Sequence, residues 1–90
     1  EGRLDGQSCM GKAPIGVAKL AKKHGKPTVA FSGCVTEDAV LCNEHGIDAF
    51  FPILRQPCSL QEAMNPDNAH KNLADTATQA FRLIKTFSNF

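Results

Sequence analysis

The sequence predicts an α/β fold: a segment of parallel sheet with right-handed helix crossovers, ending in a long C-terminal helix. Three observations predict it. Short apolar runs of strand length alternate with patterns of helical period. The same punctuation precedes each run, Lys23-His24-Gly25 before the first and Glu44-His45-Gly46 before the second. Residues 66–87 then hold an apolar stripe at helical spacing. Strands alternating with helices in this way lie parallel, and their crossovers are right-handed.

Residues 1–12, EGRLDGQSCMGK, contain three glycines and several small polar residues without helical or strand period, and read as a loop. A helix begins near Pro14, which suits the first helical position because its missing N–H has no partner there. Val17, Ala18 and Ala21, with Leu20 beside them, form its apolar side, and Lys19, Lys22 and Lys23 its polar one. Gly25 ends it in the left-handed conformation, with the lysines and His24 at the negative end of the dipole.

Pro27 introduces Thr28-Val29-Ala30-Phe31 as a buried strand that stops at Ser32-Gly33. Thr36 is the N-cap of a second helix, with Glu37 and Asp38 in its first turn, Val35 and Val40 as a hydrophobic staple, and an end at His45-Gly46. Ile47 to Leu54 is the second strand, weakened at its end by Pro52, and Arg55-Gln56-Pro57 is a turn. Ser59-Leu60-Gln61-Glu62 is a capping box opening a short helix that closes near Asn65. Asn65-Pro66 then serves as cap and first residue of the last helix, whose stripe is Ala69, Leu73, Ala77, Ala80, Ile84 and Phe87. A helix over 66–87 is about 33 Å long and needs a substantial surface to pack on. Phe31, Phe50, Phe51, Phe81 and Phe87 are core candidates. Two strands make no independently stable sheet. The sheet is therefore completed by further chain or by another copy, and the isolated chain is expected to self-associate.

Composition narrows the function. Ten basic and nine acidic residues leave a net charge of +1, which gives no electrostatic footprint for nucleic acid or an anionic membrane. Lys19, Lys22, Lys23 and Lys26 form one solvated helix face. No apolar run approaches the ~20 residues of a membrane span, and no signal-peptide pattern opens the chain. Cys9, Cys34, Cys42 and Cys58 show no C-x-x-C spacing and read as reduced thiols in a cytoplasmic protein. His24, His45 and His70 sit at helix ends rather than in a metal set, and Met10 and Met64 read as gap fillers. The start at Glu1, without Met, reads as a piece of a longer chain.

The chemistry falls in residues 1–12. A glycine-rich loop leading into a helix offers backbone N–H donors to an anion, and this loop carries Asp5, Gln7, Ser8 and Lys12. Gly6 to Ala13 comes close to the phosphate loop G-x-x-x-x-G-K-[ST], but position 13 is Ala, no apolar strand precedes Gly6, and Pro14 follows at once. Asp5 reads either as a functional acid or as a loop aspartate capping its own backbone. Lys12 is either a solvated lysine or an anion ligand, and its charge is unfavourable near a helix start.

The run EGRLDGQSCMGKAPIGVA resembles the glycerate kinase segment E-G-x-[IL]-D-x-Q-[ST]-x-x-G-K-x-P-x-G-V-A. Glu1, Gly2, Asp5, Gln7, Ser8, Gly11, Lys12, Pro14, Gly16, Val17 and Ala18 all fit it. The HGKP–strand–SG order and the HGIDAFF segment are similar to the same family, while the last 30 or so residues match in pattern alone. The resemblance implies an enzyme that transfers the γ-phosphoryl group of ATP, with magnesium, to D-glycerate. It also implies that residues 1–90 are the C-terminal part of a discontinuous domain, half of a flavodoxin- or Rossmann-like fold, with 1–12 as an active-site loop. In those terms Asp5 accepts the glycerate hydroxyl proton or contacts magnesium, Gln7 and Ser8 hydrogen-bond substrate hydroxyls, and Lys12 meets a phosphate or the glycerate carboxylate. Such a piece is expected to be inactive alone. The alternative is a stand-alone α/β binding module without catalysis.

Overall fold

The computed structural model describes residues 2–10 and 13–88. The chain divides into two compact units, Glu1–Pro52 and Ile53–Phe90.

The first unit is built on two pairs of short parallel strands. β1 (Arg3–Leu4) pairs with β3 (Cys34–Val35), and β2 (Val29–Ser32) pairs with β4 (Ala49–Pro52). The segment from Val29 to Val35 thus pairs first with β4 and, past Gly33, with β1. Parallel neighbours need a crossover. α1 (Ala13–Lys23) connects β1 to β2, and a 3₁₀ segment, Glu37–His45, connects β3 to β4. Gly33 stands where the backbone at the start of β3 closely approaches that before β1. A Cβ there would lie 2.5 Å from the Gly2 carbonyl oxygen, and that oxygen accepts the Cys34 N–H at 3.0 Å, the first bond of the β1–β3 ladder.

The strand β1 corrects the expectation of a featureless loop over 1–12. Two residues have no readable period, and β1 exists because β3 supplies its partner. Leu4, alternating inward, is among the most buried side chains. The second predicted helix is a 3₁₀ segment instead. The Thr36 hydroxyl bonds the Asp38 carboxylate and caps no backbone amide, so i→i+3 bonds such as Ala39 N–H to Thr36 O (3.1 Å) take up the first amides. Val40 is exposed, so it makes no staple.

The core is small: Leu4, Cys9, Ile15, Ala18, Ala39, Cys42 and Ile47, with Ala30, Val35 and Phe50 packed against it. α1 therefore faces inward through Ile15 and Ala18, whereas Val17 and Leu20, expected inside, are exposed. Asp48 joins the far ends of these elements, accepting from Lys22 Nζ at 2.6 Å and from Thr28 N–H at 2.7 Å. The register partners Phe31 and Phe51 stack with centroids 5.9 Å apart.

The second unit holds α2 (Leu60–Met64) and α3 (Pro66–Phe87). Ser59 Oγ accepts the Glu62 N–H at 3.1 Å, and Asn65 Oδ1 accepts those of Asp67 at 2.9 Å and Asn68 at 3.4 Å, so both predicted caps form. Only half of the capping box is reciprocal chemistry: the Glu62 carboxylate accepts from the Ser59 hydroxyl rather than from its amide. Along α3, Ala80 is buried, while Leu73, Phe81, Ile84 and Phe87 are exposed. Phe81 and Phe87 are therefore not core residues of this chain.

Candidate functional site

β1 and β3 run parallel, and both end at the same edge. Asp5 follows Leu4 there, and Thr36 follows Val35. Ligands of open α/β sheets bind beyond the carboxyl ends of the strands, so this edge is the site candidate. The Thr36 N–H bonds the Leu4 carbonyl at 2.9 Å and fixes the two strand exits side by side.

Asp5 shapes the turn that follows. Its Oδ1 accepts the N–H groups of Gln7 (3.0 Å) and Ser8 (3.1 Å) and the Ser8 hydroxyl (3.3 Å). Ser8 Oγ accepts the Asp5 N–H in return, at 3.1 Å. This reciprocal cap holds the 3₁₀ turn Gly6–Cys9. The second oxygen, Oδ2, takes Arg3 Nε at 3.2 Å and Nη2 at 3.0 Å. Asp5 thus does what the backbone-capping reading expects. Ser8 is 4% exposed and enclosed by that cap, and Gln7 is exposed. Lys12 lies outside the described residues.

Two residues at this edge escaped the sequence reading. Asp38 Oδ1 accepts the Gly6 N–H at 3.0 Å and the Thr36 hydroxyl, tying the exit of β3 to the exit of β1. A Cβ on Gly6 would lie 2.4 Å from Asp38 Oδ2, so a hydrogen at that position lets the carboxylate close over the turn. Arg3 is the other. Its i, i+2 spacing from Asp5 becomes a signal only once the strand is known, since alternate residues of a strand share a face. Asp38 gives no sign of its tie to this turn, because Gly6 is 32 positions away.

The Arg3 hydrogen bond is the main cause that holds the Asp5 carboxyl below the usual carboxylate range, against burial and with help from Ser8. Asp38 is lowered by the Thr36 hydroxyl and the Gly6 amide, against burial and the charge of Asp5. Both are anionic at neutral pH. Below the turn, the Cys9 thiol donates to the Gly6 carbonyl at 2.7 Å and the Cys42 thiol to the Asp5 carbonyl at 3.7 Å. Burial first, and the neighbouring Cys9 next, push the Cys42 thiol up. All four cysteines are free thiols.

The described residues do not by themselves gather a metal site. Both Asp5 oxygens are engaged, and no group of three or more His, Cys, Asp or Glu side chains stands ready for a metal among the described residues. The second unit has a surface pocket of about 560 Å³ lined by Arg55, Glu62, Asn68, Lys71 and Asp75 among others. Its two cations share the Asp75 carboxylate in ion pairs of their own, and no strand ends there.

Comparison with known proteins decides the lineage. The model of the glycerate kinase family matches residues 1–85. The chain belongs to the glycerate kinase family. It is 45% identical over 84 residues to a glycerate kinase of Haemophilus influenzae, covering 93% of this chain and 22% of that one. It is 42% identical over 87 residues to a glycerate 2-kinase of Escherichia coli, covering 91% and 23%. A glycerate kinase of Bacillus subtilis is 38% identical over 85 residues, covering 94% and 22%. The chain thus spans about a fifth of the length of these glycerate kinases. No solved structure matches it. No helix among the described residues is long and apolar enough to cross a membrane.

Proposed function

We propose that this chain is the part of an ATP-dependent glycerate kinase that contributes the turn after β1 to an active site shared with the rest of the enzyme. The observation that carries the reading is a capped, carboxylate-bearing turn at the carboxyl ends of two parallel strands, within a chain of this family. The same observation favours a kinase part over a stand-alone binding module. Residues 1–90 form the C-terminal part of a discontinuous α/β domain, and 1–12 its active-site loop. D-Glycerate is the acceptor, and ATP, arriving with its magnesium, is the donor.

Phosphoryl transfer asks the protein for positioning and charge neutralisation. Asp5, ionised and held by its cap, presents Oδ2 to the acceptor hydroxyl and takes its proton. Gln7, exposed beside it, hydrogen-bonds a substrate hydroxyl. Ser8 acts through Asp5, whose carboxylate and amide it holds. Lys12 meets a phosphate or the glycerate carboxylate. Transition-state charge has to be surrounded by preorganised groups, and one turn does not surround it. The isolated chain is therefore inactive and self-associating. Incubation of the purified 90-residue chain with ATP, magnesium and D-glycerate is expected to release no ADP above background. Turnover within tenfold of an ordinary kinase, about 1–100 s⁻¹, refutes the shared-site reading.

A further inference from the structure

We infer that Arg3 binds the substrate directly, its outer guanidinium edge taking the carboxylate of the hydroxy acid; the inference rests on the acceptor proposed above. Arg3 on β1 and Asp5, still extended one residue past its end, lie on the same side of the backbone and bond each other, and Leu4 between them turns into the core. The guanidinium spends Nε and Nη2 on a single oxygen, Asp5 Oδ2. Of its five N–H donors, the Nη1 pair and the outer Nη2 hydrogen have no partner among the described residues. The side chain is 65% exposed, and an ion pair that open contributes little to stability. What the pair provides is orientation: one edge of the fork is pinned, and the edge that matches a carboxylate in two parallel bonds faces solvent.

Charge points the same way. Asp5 and Asp38 put two carboxylates at this edge, both anionic at neutral pH. An anionic substrate is repelled there unless a cation meets it, and Arg3 is a cation held against Asp5. A 2-hydroxy acid carries its carboxylate and hydroxyl on adjacent carbons. A cation and an anion adjacent on one side of the backbone complement that arrangement, the carboxylate against Arg3 and the hydroxyl against Asp5 Oδ2.

The test uses the complete enzyme with Arg3→Gln and Arg3→Lys. Steady-state kinetics with D-glycerate and ATP are paired with calorimetric titration by D-glycerate and by its neutral amide, D-glyceramide. The expected result for Arg3→Gln is a KM for D-glycerate raised about 10- to 100-fold, the range for a lost charge-assisted contact. The KM for ATP stays within twofold, and Arg3→Lys falls in between, because it keeps the charge and loses the fork. D-Glyceramide binds wild type and Arg3→Gln alike, which a merely structural defect does not produce. An unchanged KM for D-glycerate in a folded Arg3→Gln overturns the inference. A rise confined to the KM for ATP also overturns it, by assigning the oxyanion to a phosphoryl group. If Arg3→Gln does not fold, an unchanged KM for D-glycerate in Arg3→Lys overturns it, and a rise of at least threefold supports it. If the wild-type enzyme leaves D-glycerate unphosphorylated, the proposed activity falls. D-Glycerate binding that Arg3→Gln weakens still sustains the Arg3 contact, and no binding to wild type removes it.

Discussion

At Asp5 one side chain carries two duties that separate by atom. Oδ1 belongs to the fold, accepting two turn amides and the Ser8 hydroxyl, and Oδ2 faces Arg3 and the open edge. Asp5→Asn keeps an acceptor for the turn and removes the charge. In the complete enzyme it is expected to lower kcat about 10²- to 10⁴-fold, the usual worth of a general base, with a small change in melting temperature. Wild-type kinetics in Asp5→Asn assign the residue to capping alone. The pH dependence follows from the lowered carboxyls of Asp5, Asp38, Asp48 and Asp75. A carboxyl whose folded pKa lies below its unfolded value, about 3.9, stabilises the fold fully above that value and loses its effect as pH falls through the folded one. Denaturant unfolding is expected to give a stability independent of these groups between pH 7 and about pH 5, falling below about pH 4. Proton-detected titration should show Asp5 moving up toward the ordinary range in Arg3→Gln, since the Arg3 bond is the largest cause of its shift. A stability that rises on acidification below about pH 4 contradicts the assigned bonds.

At the scale of elements, what was legible in the sequence was local. Asn65-Pro66, Ser59 and the two glycines that close their helices, Gly25 (φ 68) and Gly46 (φ 108), are recognised by neighbours a few positions away, and each stands where it was expected. What was illegible depends on distant partners. β1 is visible only once β3 lies beside it, and the Asp38–Gly6 bond joins residues 32 apart. The inward face of α1 is illegible because Val17 and Leu20 are as apolar as Ile15 and Ala18, which do turn inward. The Asp5 cap is legible from its own loop, whereas the face that Arg3 shares with Asp5 exists only once β1 does. Two substitutions test the strand exits. In Gly33→Ala the new methyl meets backbone, the Gly2 carbonyl oxygen at 2.5 Å, so the β1–β3 pairing has to open. A loss of about 3 kcal/mol, at the upper end of ordinary point mutations, is expected. In Gly6→Ala the methyl meets the Asp38 side chain, Oδ2 at 2.4 Å and Cγ at 2.9 Å, and a side chain can rotate away where backbone cannot, at the cost of its bond to the Gly6 N–H. Thermal unfolding of both should rank Gly33→Ala as the more damaging, and the reverse order shows that β1 is held by something other than β3. Ser59→Ala, which removes the α2 cap, is expected to cost about 1 kcal/mol.

For the whole molecule the balance of covered and uncovered apolar surface matters most. Among the described residues, seven make the buried cluster of the first unit, while Val17, Leu20, Val40 and Leu41 there, and Leu73, Phe81, Leu83 and Ile84 on α3, are exposed. Fully burying one large apolar side chain contributes roughly 1.5–3 kcal/mol, a large part of a small domain's margin. Short strands with unpaired edges add a second route to association. Sedimentation equilibrium of the 90-residue chain at micromolar concentration is expected to show self-association. A monomer with cooperative unfolding and no binding of a hydrophobic-surface dye shows instead that the chain tolerates these faces in water.

The thiols of Cys9 and Cys42 reach from the core to the carbonyls of Gly6 and Asp5, so the floor of the candidate site and the roof of the core are the same atoms. Adaptation to a new acceptor is therefore constrained from underneath. A substitution in the Asp5–Cys9 stretch that re-shapes the upper surface also disturbs the packing of Cys9 and Cys42 beneath it, so specificity and stability there change in one step.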